Sequence, residues 1–126
     1  MAEAKRPTTL IAAHRGGAGL WPENSLTAFQ SAVRLPIDLV EFDVHRSADG
    51  VLVVIHDATL DRTTSGSGPV AALSADQLRA LKVKNGTIDA IPLLDQLIDT
   101  VKPTPLNLRL ELKRGADGER YPGIER

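Results

Sequence analysis

The fold turns on how "VEFDVHRSADGVLVVIHD", residues 40–57, is read. Two strand-like segments flank an Asp49-Gly50 turn signal, and acids and an imidazole stand where more valine would be expected. Glu41 and Asp43 are two apart, so on a strand both side chains leave one face. Their Cα atoms then lie ~6.6 Å apart, at ~3.3 Å per residue. The second segment, "VLVVI", is apolar throughout, as in a strand buried on both faces, and runs into His56 and Asp57. The link admits two geometries. An antiparallel hairpin sets Asp43 opposite His56, whereas two parallel barrel strands leave both residues at one C-terminal rim. Either brings carboxylate and imidazole close.

Upstream, "TLIAAHRGG" reads as a short buried strand ending at His14, stopped by Gly16, Gly17 and Gly19. "PENSLTAFQSAVRL" opens a helix with Asn24 or Ser25 as N-cap and Leu26, Phe29 and Val33 on one face; Pro36 stops it. Downstream, "ATLDRTTSGSGPV" is a loop. Ser74 and Gln77 form a capping box for a short helix carrying Leu78 and Leu81, ending near Gly86. A further helix follows Pro92, with Leu94, Leu97, Ile98 and Val101 at i, i+3, i+4, i+7. "LNLRLELK" then alternates: Leu106, Leu108, Leu110 and Leu112 point one way, Asn107, Arg109, Glu111 and Lys113 the other. The final segment, residues 114–126, is loop-like.

Strands alternating with helices predict an α/β sheet. An open doubly wound sheet would bind phosphate at a glycine-rich turn, but "HRGGAG" is neither GxGxxG nor a Walker loop. A TIM-type barrel accounts better for the last strand, whose leucines would pack on outer helices while its polar face lines the lumen near the active end.

Composition narrows the function classes. The 126 residues are 42% apolar and 25% charged, as in a soluble globular protein. A net charge of −1 gives no electrostatic footprint for nucleic acid. Without cysteine, any metal must sit on oxygen or imidazole. "MAEAKRPTT" lacks the apolar core of a secretory signal, and no stretch reaches the ~18 apolar residues of a membrane span, so a cytoplasmic protein is expected.

The polar residues suggest a site. Two carboxylates on one half-buried face repel and are costly to desolvate; a divalent cation with oxygen ligands, Mg²⁺ or Ca²⁺, removes both penalties. The alternative is a surface pair on an edge strand, against which Leu39, Val40, Phe42 and Val44 argue. Glu111 is the natural third acid, and Lys113, on the same face, suits a phosphate oxygen; the rival reading is a solvated Glu–Lys pair. His14 and His56 each end an apolar run, where barrel chemistry sits, and suit general acid and base roles, although a lone histidine there is more often a structural hydrogen bonder. Arg15 suits bidentate phosphate recognition or is a surface charge. His45 shares the parity of the acids, which would allow it a direct role, but is expected past the rim; Trp21 and Tyr121 either contact substrate or cover apolar surface, and the latter is expected.

Together these residues resemble the glycerophosphodiester phosphodiesterase family. His14-Arg15-Gly16 looks like its HRG motif, Pro22-Glu23-Asn24-Ser25 its PEN[ST], Glu41-Phe42-Asp43 its E-x-D, His56-Asp57 its HD with the family-like "LDRTTSGSG" after it, and Glu111-Leu112-Lys113 its E-x-K. Any one is weak; five in order, from residue 9 to about 114, are specific. The resemblance implies a (β/α)₈ barrel of the phospholipase C-like phosphodiesterase kind. It implies one divalent cation on Glu41, Asp43 and Glu111, His14 and His56 as the acid–base pair, and Arg15 and Lys113 on the phosphate. It implies cleavage of a small glycerophosphodiester to glycerol 3-phosphate and an alcohol, with the glycerol 2-hydroxyl attacking phosphorus to give a cyclic phosphate that water then opens.

Such a barrel usually needs ~250 residues. The chain is therefore expected to hold about the first half: three strands and a helix in residues 8–57, a small insertion at 58–90, a helix and fourth strand at 91–114, and a loop at 115–126. The remainder would come from a C-terminal half or a second copy, and the isolated chain is expected to be weakly active or inactive. Two rivals are a non-catalytic fragment that binds metal or phosphate, and a barrel phosphodiesterase acting on phospholipid.

Overall fold

The computed structural model describes residues 9–84 and 89–124. The expected helix end near Gly86 lies outside them; helix α2, Ala75–Arg79, is capped at Ala80. The other elements are strands β1 (Ala12–Ala13), β2 (Leu39–Arg46), β3 (Leu52–Val54) and β4 (Asn107–Leu112), and helices α1 (Leu26–Ala32) and α3 (Leu94–Val101).

Strand β2 organises the sheet. It pairs parallel to β1 (Ala13 with Val40) and parallel to β4 (Phe42 with Leu110), and antiparallel to β3 (Val44 with Val54). The 40–57 run is thus the hairpin, not two parallel staves. Its tightest point is Gly50, at φ 86, where residues with a Cβ are strained. The register corrects the expected facing of Asp43 and His56 by one residue: the Asp43 backbone carbonyl instead accepts from the Ile55 N–H at 3.0 Å. Three strands, β1, β2 and β4, therefore run parallel as barrel staves, and β3 folds back beside the upper end of β2.

The alternation of β2 divides the molecule. Val40, Phe42 and Val44 turn outward onto Phe29 and Ala32 of α1 and Leu97 and Val101 of α3, forming the main core. Phe29 meets Phe42 edge to face, with ring centroids 6.3 Å apart. Gly16 is required here, since a Cβ on it would lie 2.9 Å from the Phe29 ring. Burial of each such side chain is worth roughly 1.5–3 kcal/mol. A second cluster, Val53, Ile55, Leu60, Val70, Leu78 and Ile91, covers the other face of β3, which explains its unbroken apolar run. Both arms of the Ser74–Gln77 capping box form.

The edges depart from expectation. The "TLIAAHRGG" strand is reduced to two residues, with Leu10 and Ile11 more than half exposed. Leu108, Leu110 and Leu112 share the outward side of the sheet with Val40, Phe42 and Val44 but remain 41–43% exposed. The physical reason is position. The core helices sit over the centre of the sheet, and β4 has β2 on one side only among the described residues. No helix of the described residues is long and apolar enough to cross a membrane.

Candidate active site

The inward face of β2 carries Glu41, Asp43 and His45, all buried. The parallel register sets Glu111 of β4 beside Asp43, and since paired residues in a sheet share a face, the third acid joins the first two. One carboxylate oxygen from each of Glu41, Asp43 and Glu111 lies within 4.8 Å of the others, close enough to share one ion.

Asp43 is held by Asn24, a residue expected only as a helix N-cap. Asn24 donates its Nδ2 to Asp43 Oδ2 at 3.1 Å, leaving Asp43 Oδ1 buried without a hydrogen-bond partner among the described residues. Asn24 does this at φ 53, a left-handed conformation that Asn tolerates better than most residues. The helix N-cap is Ser25 alone, whose Oγ accepts from Ala28 N at 3.1 Å. Glu41 is fixed by the Arg15 backbone N–H, 2.9 Å from its Oε2; Arg15 is also left-handed, at φ 51.

A desolvated carboxylate with one oxygen unsatisfied, beside a second buried acid, is unfavourable unless positive charge compensates. One ammonium and one imidazole approach. Lys113 Nζ lies 3.1 Å from Glu111 Oε1 and 4.0 Å from Asp43 Oδ1, and His14 Nε2 lies 3.8 Å from Glu41 Oε2. The Lys113 ammonium holds the Glu111 carboxyl below its ordinary value. Three oxygen donors, with a buried oxygen left over, fit a divalent cation.

His56 shares the wall of an open cavity of about 540 Å³ with Glu111 and Lys113. Its Nδ1 faces Asp57 Oδ1 at 2.8 Å. Arg62, bonded to Asp57, holds that carboxyl far below the ordinary range despite opposition from partial burial, so Asp57 is ionised and accepts from Nδ1–H. The other ring nitrogen, Nε2, is not engaged by Asp57. His45 is not past the rim: it lies buried within β2, with Nε2 2.9 Å from the His56 carbonyl and Nδ1 2.7 Å from the Tyr121 hydroxyl. A carbonyl only accepts, so His45 carries its proton on Nε2 and accepts from Tyr121 at Nδ1. Burial lowers the His45 pKa and raises that of Tyr121, keeping both neutral. The pair braces the chain that carries His56.

The Arg15 guanidinium does not point at the acids. Its Nη1 donates to Glu23 Oε2 at 3.0 Å, and its buried Nε has no partner among the described residues. Burial alone would raise the Glu23 carboxyl, but Arg62 and Arg15 outweigh it and lower the pKa. Trp21 packs against the main core, as expected. The sequence points to no site role for Glu23, Asn24, Asp57 or Arg62, with Asn24 expected only as a helix N-cap; the signal available was that they fall inside the "PENS", "HD" and "LDRTT" segments.

Acids on the lumen side of adjacent parallel strands, with imidazoles at the strand ends, define a TIM-type barrel site built at the C-terminal rim. The particular family follows from comparison. The sequence pattern of the Glycerophosphoryl diester phosphodiesterase family matches residues 14–117, and the chain belongs to that family. It is 39% identical over 122 residues to a glycerophosphodiester phosphodiesterase of Caldanaerobacter subterraneus subsp. tengcongensis, covering 93% of this chain and 49% of that protein. It is 37% identical over 124 residues to one of Bacillus altitudinis, with the same coverage. Among solved structures, a glycerophosphodiester phosphodiesterase from Agrobacterium tumefaciens superposes with TM-score 0.77 at 37% identity, over 86% of this chain and 48% of its own. An Oleispira antarctica phosphodiesterase in complex with the product sn-glycerol-3-phosphate superposes with TM-score 0.78 at 34% identity, over 83% of this chain and 44% of its own. The chain thus spans about half the length of the curated relatives it matches.

Proposed function

We propose that this chain carries the ion-binding and acid–base portion of a phosphodiesterase that cleaves glycerophosphodiesters to glycerol 3-phosphate and an alcohol. The observation that carries the reading is the convergence of Glu41, Asp43 and Glu111 within 4.8 Å around a buried Asp43 oxygen that has no hydrogen-bond partner among the described residues. The product bound by the Oleispira antarctica relative supports a small glycerophosphodiester as substrate.

Glu41, Asp43 and Glu111 would hold one Mg²⁺ or Ca²⁺. Such an ion supplies Lewis-acid neutralisation of phosphate charge. Lys113 holds a phosphate oxygen as a point charge, and Arg15 offers the guanidinium nitrogens that Glu23 leaves free. One imidazole of His14 and His56 removes the proton from the attacking glycerol hydroxyl and the other protonates the leaving alkoxide, together worth ~10²–10⁴-fold; water then opens the resulting cyclic phosphate to glycerol 3-phosphate. His56 does its part through Nε2, with Nδ1 bound to Asp57. Residues 58–90 would form the insertion, contributing Leu60, Val70 and Leu78 to the second apolar cluster. A closed eight-stranded barrel needs five more parallel staves than β1, β2 and β4 provide. The described residues of two copies supply only six, which favours further chain over a second copy.

Glycerol 3-phosphate release from glycerophosphocholine with Mg²⁺ or Ca²⁺ tests the reaction. The 126-residue chain is expected to release only traces, and a form carrying the remaining staves is expected to turn over. In that form, turnover unaltered by Glu41→Ala with Asp43→Ala would refute the ion site.

A further inference from the structure

Arg62 lies in a loop, is about half exposed, and would ordinarily be read as a surface charge. Its hydrogen bonds are unusual for one. Nε donates to Asp57 Oδ2 at 2.8 Å and Nη2 to Asp57 Oδ1 at 3.0 Å. The same guanidinium turns its other edge to Glu23, with Nη1 on Oε1 and Nη2 on Oε2 at 3.1 Å. Asp57 Oδ1 also receives His56 Nδ1, and Glu23 Oε2 also receives Arg15 Nη1. A continuous chain of charge-assisted hydrogen bonds therefore runs Arg15–Glu23–Arg62–Asp57–His56.

We infer that Arg62 is a positioning residue for His56, gripping Asp57 against Glu23 so that Asp57 holds the His56 ring as the Nδ1–H tautomer. The inference rests on the proposed role of His56 as a proton-transfer group. A single exposed ion pair contributes little, because two long side chains must be ordered in high dielectric. A guanidinium bidentate to two carboxylates is different: its planar fork sets the angle of each acid, and neither acid can rotate without breaking two bonds. Asp57 by itself is free to turn about two side-chain torsions. Tied to Glu23, whose backbone lies in the segment before α1, it is referred to the body of the protein. Lysine could keep the charge but not bridge two carboxylates in parallel. The His56 ring is gripped at both ends of its residue: the side chain by Asp57, the carbonyl by His45.

The tautomer can be read without turnover, from long-range ¹⁵N–¹H correlations of the His56 ring in the labelled 126-residue chain at about pH 8, where histidine is ordinarily neutral. The wild type is expected to show a proton on Nδ1 and none on Nε2. In Arg62→Ala both tautomers should appear, as they should in Asp57→Asn. Arg62→Lys should fall between, and a wild-type pattern in Arg62→Lys overturns the two-carboxylate bridge. An unchanged Nδ1–H ring in Arg62→Ala overturns the inference outright. Should Arg62→Ala fail to fold, Arg62→Met gives the same readout with the side-chain volume kept. A locked ring that loosens in the variants supports the inference even where no glycerol 3-phosphate is released, so the reaction and the positioning role fail separately. In a form that turns over, Arg62→Ala is expected to lower kcat by on the order of 10- to 100-fold, with KM unmoved.

Discussion

Asp43 and Glu111 face each other across a parallel strand pair, two acids from distant parts of the chain set side by side on the lumen face. Nothing in the local chemistry of either strand favours that pairing. It is imposed by the register that aligns Val40, Phe42 and Val44 with Leu108, Leu110 and Leu112 on the outer face.

Repulsion within the acid group predicts a stabilising cation. Adding Mg²⁺ or Ca²⁺ should raise the unfolding free energy by about 2.7 kcal/mol at a free-ion concentration near 100 Kd. Asp43→Asn should abolish that gain, and calorimetric titration with thermal unfolding checks both. An equal gain in Asp43→Asn would place the ion elsewhere.

Asn24 combines a left-handed backbone with a buried bond to Asp43. Asn24→Ala loses both the donor and the conformational tolerance, and should destabilise by about 1–3 kcal/mol. Asn24→Gly keeps the backbone at ease and should cost less. Urea denaturation distinguishes them, and equal costs would remove backbone strain from the account.

The neutral His45 predicts a pH dependence. Its native pKa is lowered, chiefly by burial, so the folded state refuses a proton that the unfolded chain accepts below about pH 6.5. Its contribution is complete above that value and is lost as pH falls toward the native pKa. The neighbours that bear on it are Tyr121, Lys113, Asp43 and His56. Tyr121→Phe leaves Nδ1 buried without its donor and should destabilise by about 1–3 kcal/mol at neutral pH, measured by urea unfolding across pH 5–8.

Phe42 and Leu110 are direct partners in the sheet but differ in burial: Phe42 is 1% exposed and Leu110 41%. Phe42→Ala should cost about 3–5 kcal/mol, and Leu110→Ala about 1 kcal/mol or less. Comparable losses would mean that β4 is covered in solution.

Much was legible in residue order because it depends on short-range physics. The Ser74–Gln77 capping box, the i, i+4 spacing of Leu97 and Val101, and the alternation of Glu41 and Asp43 with apolar neighbours all act within a few residues. So did the location of the site, since a run of valine broken by paired acids is intelligible only where something compensates the charge. The choice between hairpin and parallel link was not legible, because both satisfy the same alternation. The Asp49-Gly50 turn favours one of them, but the register that faces Asp43 with Ile55 depends on which residues β2 meets on both flanks.

Residue order thus specified which side chains are chemically unusual and which face of each strand they share, since strand periodicity is a property of the backbone alone. Long-range packing specified their partners: Asn24 on Asp43, Arg62 between Glu23 and Asp57, Tyr121 on His45. Apart from the local Arg62–Asp57 contact, those bonds join residues far apart in the chain, and they require the tertiary packing around Phe29, Phe42, Leu97 and Val101 that brings the segments together.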